Sequence, residues 1–176
     1  MRIETIPEYK ISSDVNKLII QLLVDSFPSS PLDRSYYKIL PQFRYLVWVE
    51  DNLIGHMAIE HRVIDNSGTP ARIFGVIEMC VALAYRSQKI ATTLLQQIEE
   101  LGTKNDVDFL MTFADDHRLY TQNGYQRVAN ICRWMKVHEH QTTGIDERTM
   151  ADCMMVKSIS SQKWQEGTVD LLGYLF

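Results

Sequence analysis

The sequence lacks the features that mark membrane, secreted and nucleic-acid-binding proteins. Its apolar runs, such as residues 109–114, are the length of one strand and fall far short of the roughly 20 residues that span a bilayer. The first ten residues contain no apolar core of the kind found in signal peptides. The formal net charge is −4, which disfavours a broad basic surface for nucleic acid. We therefore expect a cytoplasmic protein with neither a membrane nor a nucleic-acid partner.

Cysteine is scarce, and its spacing matches neither a disulfide framework nor a zinc site. The chain has three cysteines, Cys80, Cys132 and Cys153. Cys80 and Cys132 lie in apolar runs, where a free cysteine usually packs as a small hydrophobic residue. The other metal candidate, His138 with His140, offers two ligands at i, i+2 and no third. We expect no metal site.

The order of apolar patterns predicts a mixed α/β protein. A chain of 176 residues is long enough to bury a substantial core, so we expect a single domain spanning residues 1–176. The predicted order is strand, one or two helices, three strands, helix, strand, helix and two strands. Ser13 and Asp14 should cap the first helix, whose apolar stripe is Val15, Leu18, Ile19, Leu22 and Leu23. A short turn or helix is expected at residues 36–40, Gly102 should close the helix at residues 88–101, and residues 126–138 should form one strand. The strand–helix–strand unit at residues 73–114 should be parallel with a right-handed crossover. Residues 140–151 look like a polar loop, and the apolar tail at residues 169–176 should dock.

The junction at residues 81–95 has the chemistry of an anion site. A buried strand ends there, a polar turn follows, and a helix begins, whose first N–H groups and dipole favour negative charge. Arg86 and Lys89 add positive charge, Ala91 allows close approach to the backbone, and Thr92 and Thr93 offer hydroxyl donors. An ordinary strand-to-helix turn with solvated charges is the alternative, because many α/β proteins contain one.

Two motifs, one in this junction and one further along the chain, resemble those of the GNAT N-acetyltransferase superfamily. Its acyl-CoA motif is Arg or Gln, two residues, Gly, one residue, then Gly or Ala; Arg86 and Ala91 match the ends. Lys89 stands where the first glycine is usual. The second motif, Leu-Tyr, three residues, then Gly and an aromatic, fits residues 119–125. The C-terminal tail is loosely similar to aminoglycoside 2′-N-acetyltransferase-like members, and the nodulation acyltransferases are other relatives of this fold.

The resemblance implies the GNAT acyl-CoA N-acyltransferase fold, with a mixed central sheet of six to seven strands flanked by helices. It implies acetyl-CoA as cosubstrate, a small-molecule amine as acceptor, and a possible homodimer. Tyr120 matches the general acid that returns a proton to the CoA thiolate. The residues implied to bind the cosubstrate are Met79, Cys80, Val81, Arg86, Ser87, Gln88, Lys89, Ile90, Ala91 and Thr92.

Glu78 is the first candidate for the general base, because it is the one acid inside an otherwise apolar strand. Burial would raise its pKa and suit it to take a proton from an amine. Alternatively, Glu78 faces solvent or pairs with Arg72 or Arg133. The second choices lie on the preceding strand or after the following one: Glu60, His61, Asp115, Asp116 and His117. For Asp115 and Asp116, helix capping is the simpler role.

These residues support three functional hypotheses. The first is direct acetyl transfer to a small amine in a ternary complex, with Cys80 purely structural. The second is an acyltransferase that uses longer acyl donors. The third is a non-catalytic acyl-CoA-binding or sensor domain, which the lysine at position 89 and the uncertain base keep open. The acceptor side of such proteins is built from variable loops, so the sequence does not name the amine.

Overall fold

The computed structural model describes residues 1–28 and 33–176, and its elements follow the predicted order as far as the third helix, after which five strands replace the two expected. The helices are α1 (Ser13–Ser26), α2 (Ile90–Lys104) and α3 (Arg118–Gln122). The strands are β1 (Arg2–Pro7), β2 (Phe43–Val49), β3 (Asn52–Asn66), β4 (Thr69–Val81), β5 (Phe109–Phe113), β6 (Gln126–Arg127), β7 (Ile131–His138), β8 (Gln141–Thr149), β9 (Met154–Ser158) and β10 (Thr168–Tyr174). Single 3-10 turns cover Glu8–Lys10 and Leu83–Tyr85.

The described residues form two compact units. Unit 1 comprises residues 1–60, apart from the segment 29–32, and residues 76–95; unit 2 comprises residues 61–75 and 96–176. Strands β3 and β4 and helix α2 each contribute residues to both units. That the chain acts as a single domain stays a prediction.

Unit 1 packs α1 beside an antiparallel ribbon. The Ser12 hydroxyl accepts a hydrogen bond from the Val15 N–H at 3.3 Å, so the helix cap lies one residue before the predicted Ser13 and Asp14. β2 pairs antiparallel with β1 and with the first half of β3. The apolar stripe of α1 meets the strands in a core formed by Ile19, Leu22, Leu23, Leu46, Trp48 and Cys80. The apolar residues at helical spacing therefore form the buried face of α1.

Unit 2 is a mixed sheet in the order β6-β9-β5-β4-β3-β10-β7-β8. β4 and β5 are parallel, with Ile73 opposite Phe109, which confirms the parallel strand–helix–strand unit. β10 is parallel to β7 and antiparallel to β3. The predicted docking of the apolar tail is therefore confirmed, and the tail docks as a strand. The predicted α/β class with a mixed sheet is also confirmed.

Several local predictions are wrong. Residues 141–149 are not a loop but β8, which pairs with β7 along its length; nearly all of its residues are exposed, so no apolar alternation marks it. Gly102 lies inside α2 rather than closing it. A Cβ at Gly102 would lie 2.6 Å from Ile159 Cδ1, so the glycine allows close packing. The described part of the chain contains ten strands, more than the six or seven expected.

Two further segments differ in detail. Residues 36–40 form bends rather than a helical turn. The single strand predicted for residues 126–138 is divided into β6 and β7. Within the described residues, no helix combines the length and the apolar character required to cross a membrane.

We predict that the C-terminal strand is an integral part of the core of unit 2. Leu171 is fully buried, whereas its neighbour Leu172 is 64 % exposed. Leu171→Ala should lower the free energy of unfolding by about 2–5 kcal/mol, because it leaves a cavity. Leu172→Ala, the matched control, should change it by less than about 0.5 kcal/mol. Urea denaturation of both variants measures this, and equal losses would contradict a docked β10.

Candidate active site

The central strand β4 is interrupted at Glu78. This residue has φ 51°, a left-handed conformation that costs a non-glycine residue about 1–2 kcal/mol. The His56 ring stabilises it, because its Nδ1–H donates to the Glu78 carbonyl oxygen at 2.9 Å. The Glu78 side chain is only 10 % exposed.

Glu78 lies in a buried cluster of charged side chains within unit 1. Arg44, on β2, has no solvent exposure. Its Nε and Nη2 donate to the two carboxylate oxygens of Glu8, with Nη2 at 3.1 Å from Oε1. Its Nη1 lies 2.8 Å from His56 Nε2 and 3.8 Å from Glu78 Oε2. Since a guanidinium only donates, Nε2 accepts, and His56 is neutral with its proton on Nδ1.

The environment of Glu78 raises its pKa to about 7. Burial is the largest cause; Arg44 opposes it and Glu8 adds to it. The backbone amide of Tyr37 also favours the ionised carboxylate, although its geometry falls short of a hydrogen bond. Within the described residues, neither carboxylate oxygen of Glu78 has a hydrogen-bond partner. A carboxyl with this pKa exchanges its proton near neutral pH, which suits a general base.

The alternative predictions for Glu78 are wrong: its side chain does not face solvent, and it pairs with neither Arg72 nor Arg133. The nearby cation is Arg44 rather than Arg72 or Arg133. Arg133 lies 3.8 Å from Asp170 in unit 2. His56 does not compete for the proton, because burial and the adjacent Arg44 lower its pKa to about 3.

Cys80 follows Glu78 on the same strand but is poorly suited to be a nucleophile. It is 8 % exposed and packs in the core of unit 1. Burial raises the pKa of its thiol to about 12, so the reactive thiolate is scarce at neutral pH. A structural role for Cys80 therefore accords with its surroundings.

The loop before α2 contains two residues in the left-handed conformation. Ser87 has φ 61° and Lys89 has φ 62°. Arg86 Nε donates to the carbonyl of Val81 at 3.0 Å, which ties the loop to the end of β4. Lys89 stands where glycine is usual, and its backbone has the left-handed conformation that glycine favours. The loop therefore keeps this conformation although the residue is a lysine.

The start of α2 fits a phosphate group. Residues Ile90, Ala91 and Thr92 form the first helical turn, where backbone N–H groups have no partner within the helix. Ala91 is small and the surrounding loop is exposed. The Thr93 hydroxyl, by contrast, donates to the Lys89 carbonyl at 3.1 Å. Its predicted contact with a phosphate would require that bond to break.

Tyr120 lies in unit 2, on α3, and is 9 % exposed. Its ring meets that of Tyr125 edge to face, with centroids 5.4 Å apart. Burial raises the pKa of its hydroxyl, and a hydrogen bond with Thr112 partly opposes this. The phenol is therefore protonated at neutral pH and able to donate. Gly124, which ends this motif, has φ 84°, so a glycine is needed there.

The remaining candidates have local partners. Glu60 is buried on β3, and the His61 ring packs against Phe74. Asp116 pairs with Arg118 and accepts its backbone N–H at 3.1 Å. The N-cap of α3 is His117, without a side-chain capping bond, so the predicted capping by Asp115 or Asp116 is wrong. Asp115 is exposed, His117 Nε2 lies 2.7 Å from the Asp152 carbonyl oxygen, and His138 is the last residue of β7. In the described part of the chain no three His, Cys, Asp or Glu side chains form a candidate metal site.

The comparisons place these motifs in a family. Residues 41–127 match the family model described as the acetyltransferase (GNAT) domain. The chain belongs to the GNAT superfamily. The matched segment contains both motifs, the whole of β4 and α2, and α3. The GNAT acyltransferase family supports an enzyme of the acyl-CoA-dependent acyltransferase type.

Solved structures share the GNAT fold at low sequence identity. The GNAT-family N-acetyltransferase YhbS from Escherichia coli, in complex with CoA, superposes with a TM-score of 0.65 at 16 % identity, covering 96 % of this chain and 88 % of that one. ElaA from Escherichia coli has a TM-score of 0.62 at 16 % identity, with coverages of 89 % and 98 %. A GCN5-related N-acetyltransferase from Anabaena variabilis has a TM-score of 0.58 at 18 % identity and covers 75 % of this chain, which spans 34 % of that protein. No curated protein matches the sequence.

Sequence reasoning missed Glu8, Arg44 and His56. A signal was present, because Arg44 and His56 each interrupt an apolar strand, in FRYLVWV and LIGHMAI. A lone charged residue in such a strand is rarely buried without a partner. Their convergence on Glu78 depends on the register of β2, β3 and β4, which the sequence does not reveal.

We predict that Lys89 is held in its left-handed conformation at a cost in stability. Lys89→Gly and Lys89→Ala both remove the charge, but only glycine relaxes the backbone. The glycine variant should be more stable than the alanine variant by about 1 kcal/mol, measured by urea denaturation. Equal stabilities, or a more stable alanine variant, would contradict the φ of 62° at this residue.

Proposed function

We propose that this protein is an acetyl-CoA-dependent N-acetyltransferase that acetylates the amine of a small molecule by direct transfer in a ternary complex. One observation carries the proposal: a strand, an exposed loop with Arg86 and Lys89, and a helix start occur in sequence within the matched GNAT domain, with a buried carboxyl on the strand. The complex of YhbS with CoA supports the choice of an acyl-CoA donor.

Residues of unit 1 would bind the donor. The backbone N–H groups at the start of α2, with Arg86 and Lys89, would hold the pyrophosphate. The main chain of Met79, Cys80 and Val81 would pair with the pantetheine arm like an added strand. The same amides would polarise the acetyl carbonyl. Bound acetyl-CoA supplies the activated acetyl thioester.

Proton transfers at two residues complete the proposed reaction. Glu78 would accept the proton that the ammonium loses, directly or through a water, so that the amine nitrogen can attack the carbonyl carbon. The carbon–sulfur bond then breaks, and Tyr120 would donate its proton to the departing thiolate. The nitrogen loses its second proton as the amide forms, and that proton would return through solvent to the Tyr120 oxygen. Cys80 forms no acyl-enzyme in this scheme, because its thiol stays protonated. The absence of a nucleic-acid or membrane partner, and a possible homodimer, remain predictions.

The first experiment is a thiol-release screen with acetyl-CoA against polyamines, amino acids, aminoglycosides and peptide N-termini. We expect amine-dependent release of CoA thiol with at least one class. Each active amine is then tested with longer acyl-CoAs. Faster release with a longer donor would overturn acetyl specificity in favour of the second hypothesis. Tight CoA binding without release for any amine would favour the binding or sensor domain.

We predict that Tyr120→Phe lowers kcat by about 10²–10⁴-fold, the usual contribution of a general acid, and leaves CoA affinity nearly unchanged. Tyr125→Phe is the matched control, because it removes the neighbouring hydroxyl, which has no hydrogen-bond partner within the described residues. Its kcat should stay within about twofold of the parent. Steady-state kinetics and CoA titration measure both variants. Loss of CoA binding in Tyr120→Phe would show that its role is structural.

A further inference from the structure

The cluster around Glu78 contains one cation and two carboxylates. Arg44 is fully buried, and the Glu8 and Glu78 side chains are only 14 % and 10 % exposed. We propose that Glu8 is a positioning residue for Glu78: it engages Arg44 in a two-point ion pair, which keeps the guanidinium from pairing with Glu78 and leaves that carboxyl free to exchange a proton. This inference rests on the proposed role of Glu78 as the base.

The distances show which carboxylate holds Arg44. Glu8 receives two hydrogen bonds, from Nε and from Nη2, the side-on arrangement that matches a guanidinium to a carboxylate. Glu78 receives none from Arg44, whose Nη1 lies 3.8 Å from Glu78 Oε2. The positive charge of Arg44 is thus largely compensated before Glu78 ionises.

The position of Glu8 is set by the fold of unit 1. Glu8 begins the single turn that follows β1, and its backbone N–H donates to the Gln42 carbonyl at 3.0 Å. That bond anchors the turn next to the start of β2, which carries Arg44. The turn after β1 thereby places the Glu8 carboxylate beside Arg44.

His56 keeps the guanidinium from turning towards Glu78. The ring accepts from Arg44 Nη1 at 2.8 Å and donates to the Glu78 carbonyl at 2.9 Å. It therefore links Arg44 to the backbone of Glu78 rather than to its carboxyl. The charged and titratable groups that face Glu78 are Glu8, Arg44, His56 and the Cys80 thiol, with the Tyr37 backbone amide beside them.

Removal of the charge on Glu8 should make the Glu78 carboxyl a stronger acid. With a neutral residue at position 8, Arg44 would carry an uncompensated buried charge and would favour ionised Glu78. The pKa of Glu78, raised to about 7 in part by Glu8, should then fall. The reaction would extend to lower pH, but with a weaker base and so a lower maximal rate.

The test compares Glu8→Gln with Glu4→Gln in the full-length protein. Glu4 lies on β1 and pairs with Arg2 at the surface, at 2.8 Å, so it controls for loss of one carboxylate nearby. The carboxyl carbons of 13C-labelled glutamate are titrated by NMR, with Glu78→Gln assigning the resonance. We expect the Glu78 midpoint to fall by about one pH unit or more in Glu8→Gln and to stay unchanged in Glu4→Gln. An unchanged or higher midpoint in Glu8→Gln would overturn the proposal.

A second variant covers the case in which Glu8→Gln does not fold. Glu8→Asp keeps the charge but shortens the side chain, which weakens its two-point contact with Arg44. The Glu78 midpoint should fall here as well, by less than in Glu8→Gln. An unchanged midpoint in Glu8→Asp would count against the proposal.

The pH profile of kcat/KM separates this inference from the proposed function. If Glu78 is the base, the acidic limb of the profile should move with the NMR midpoint in each variant. A midpoint that falls while the acidic limb stays in place would support the role of Glu8 towards Arg44 and overturn Glu78 as the base. A merely structural role of Glu8 would change kcat without moving either midpoint or limb.

Discussion

The buried guanidinium of Arg44 connects the functional residues of unit 1. It joins the turn after β1, through Glu8, to β3, through His56, and lies 3.8 Å from the carboxyl on β4. A buried cation must be compensated, because burial removes its hydration. The other positions in the cluster follow from that requirement: one carboxylate pairs with Arg44, a neutral imidazole accepts a hydrogen bond from its Nη1, and Glu78 is left with a weak contact.

Three of the nine non-glycine residues with positive φ in the described part of the chain lie between the end of β4 and the start of α2. Glu78, Ser87 and Lys89 all have φ between 51° and 62°, although none is a glycine. Each has a compensating contact nearby: His56 binds the Glu78 carbonyl, Arg86 binds the end of β4, and the Thr93 hydroxyl binds the Lys89 carbonyl. Non-glycine residues persist in such conformations when the surrounding contacts enforce them, which is common at functional sites. The strand with the proposed base and the proposed phosphate loop thus both contain non-glycine residues in the left-handed conformation.

The fold was predictable where a segment has an apolar periodicity of its own. The stripe of α1, the long apolar β4 and the motif pair at residues 86–91 and 119–125 all correspond to elements of the structure. Prediction failed for β8, whose polar residues are exposed over nearly its whole length and whose strand conformation comes from pairing with β7. It also failed at Gly102, where the reason for the glycine is Ile159, far away in the sequence.

The sequence by itself determined the superfamily and Glu78 as the acid inside an apolar strand, and it predicted an anion site in the loop before α2. These depend on residue type and on short-range spacing, which the chain carries locally. Only the tertiary structure decided that Glu78 faces a buried cluster, that its cation is Arg44, and that Glu8 holds that cation first. The physical reason is register: the left-handed φ of 51° at Glu78 reverses which face a side chain occupies, and strand pairing then brings together residues that are 36 positions apart.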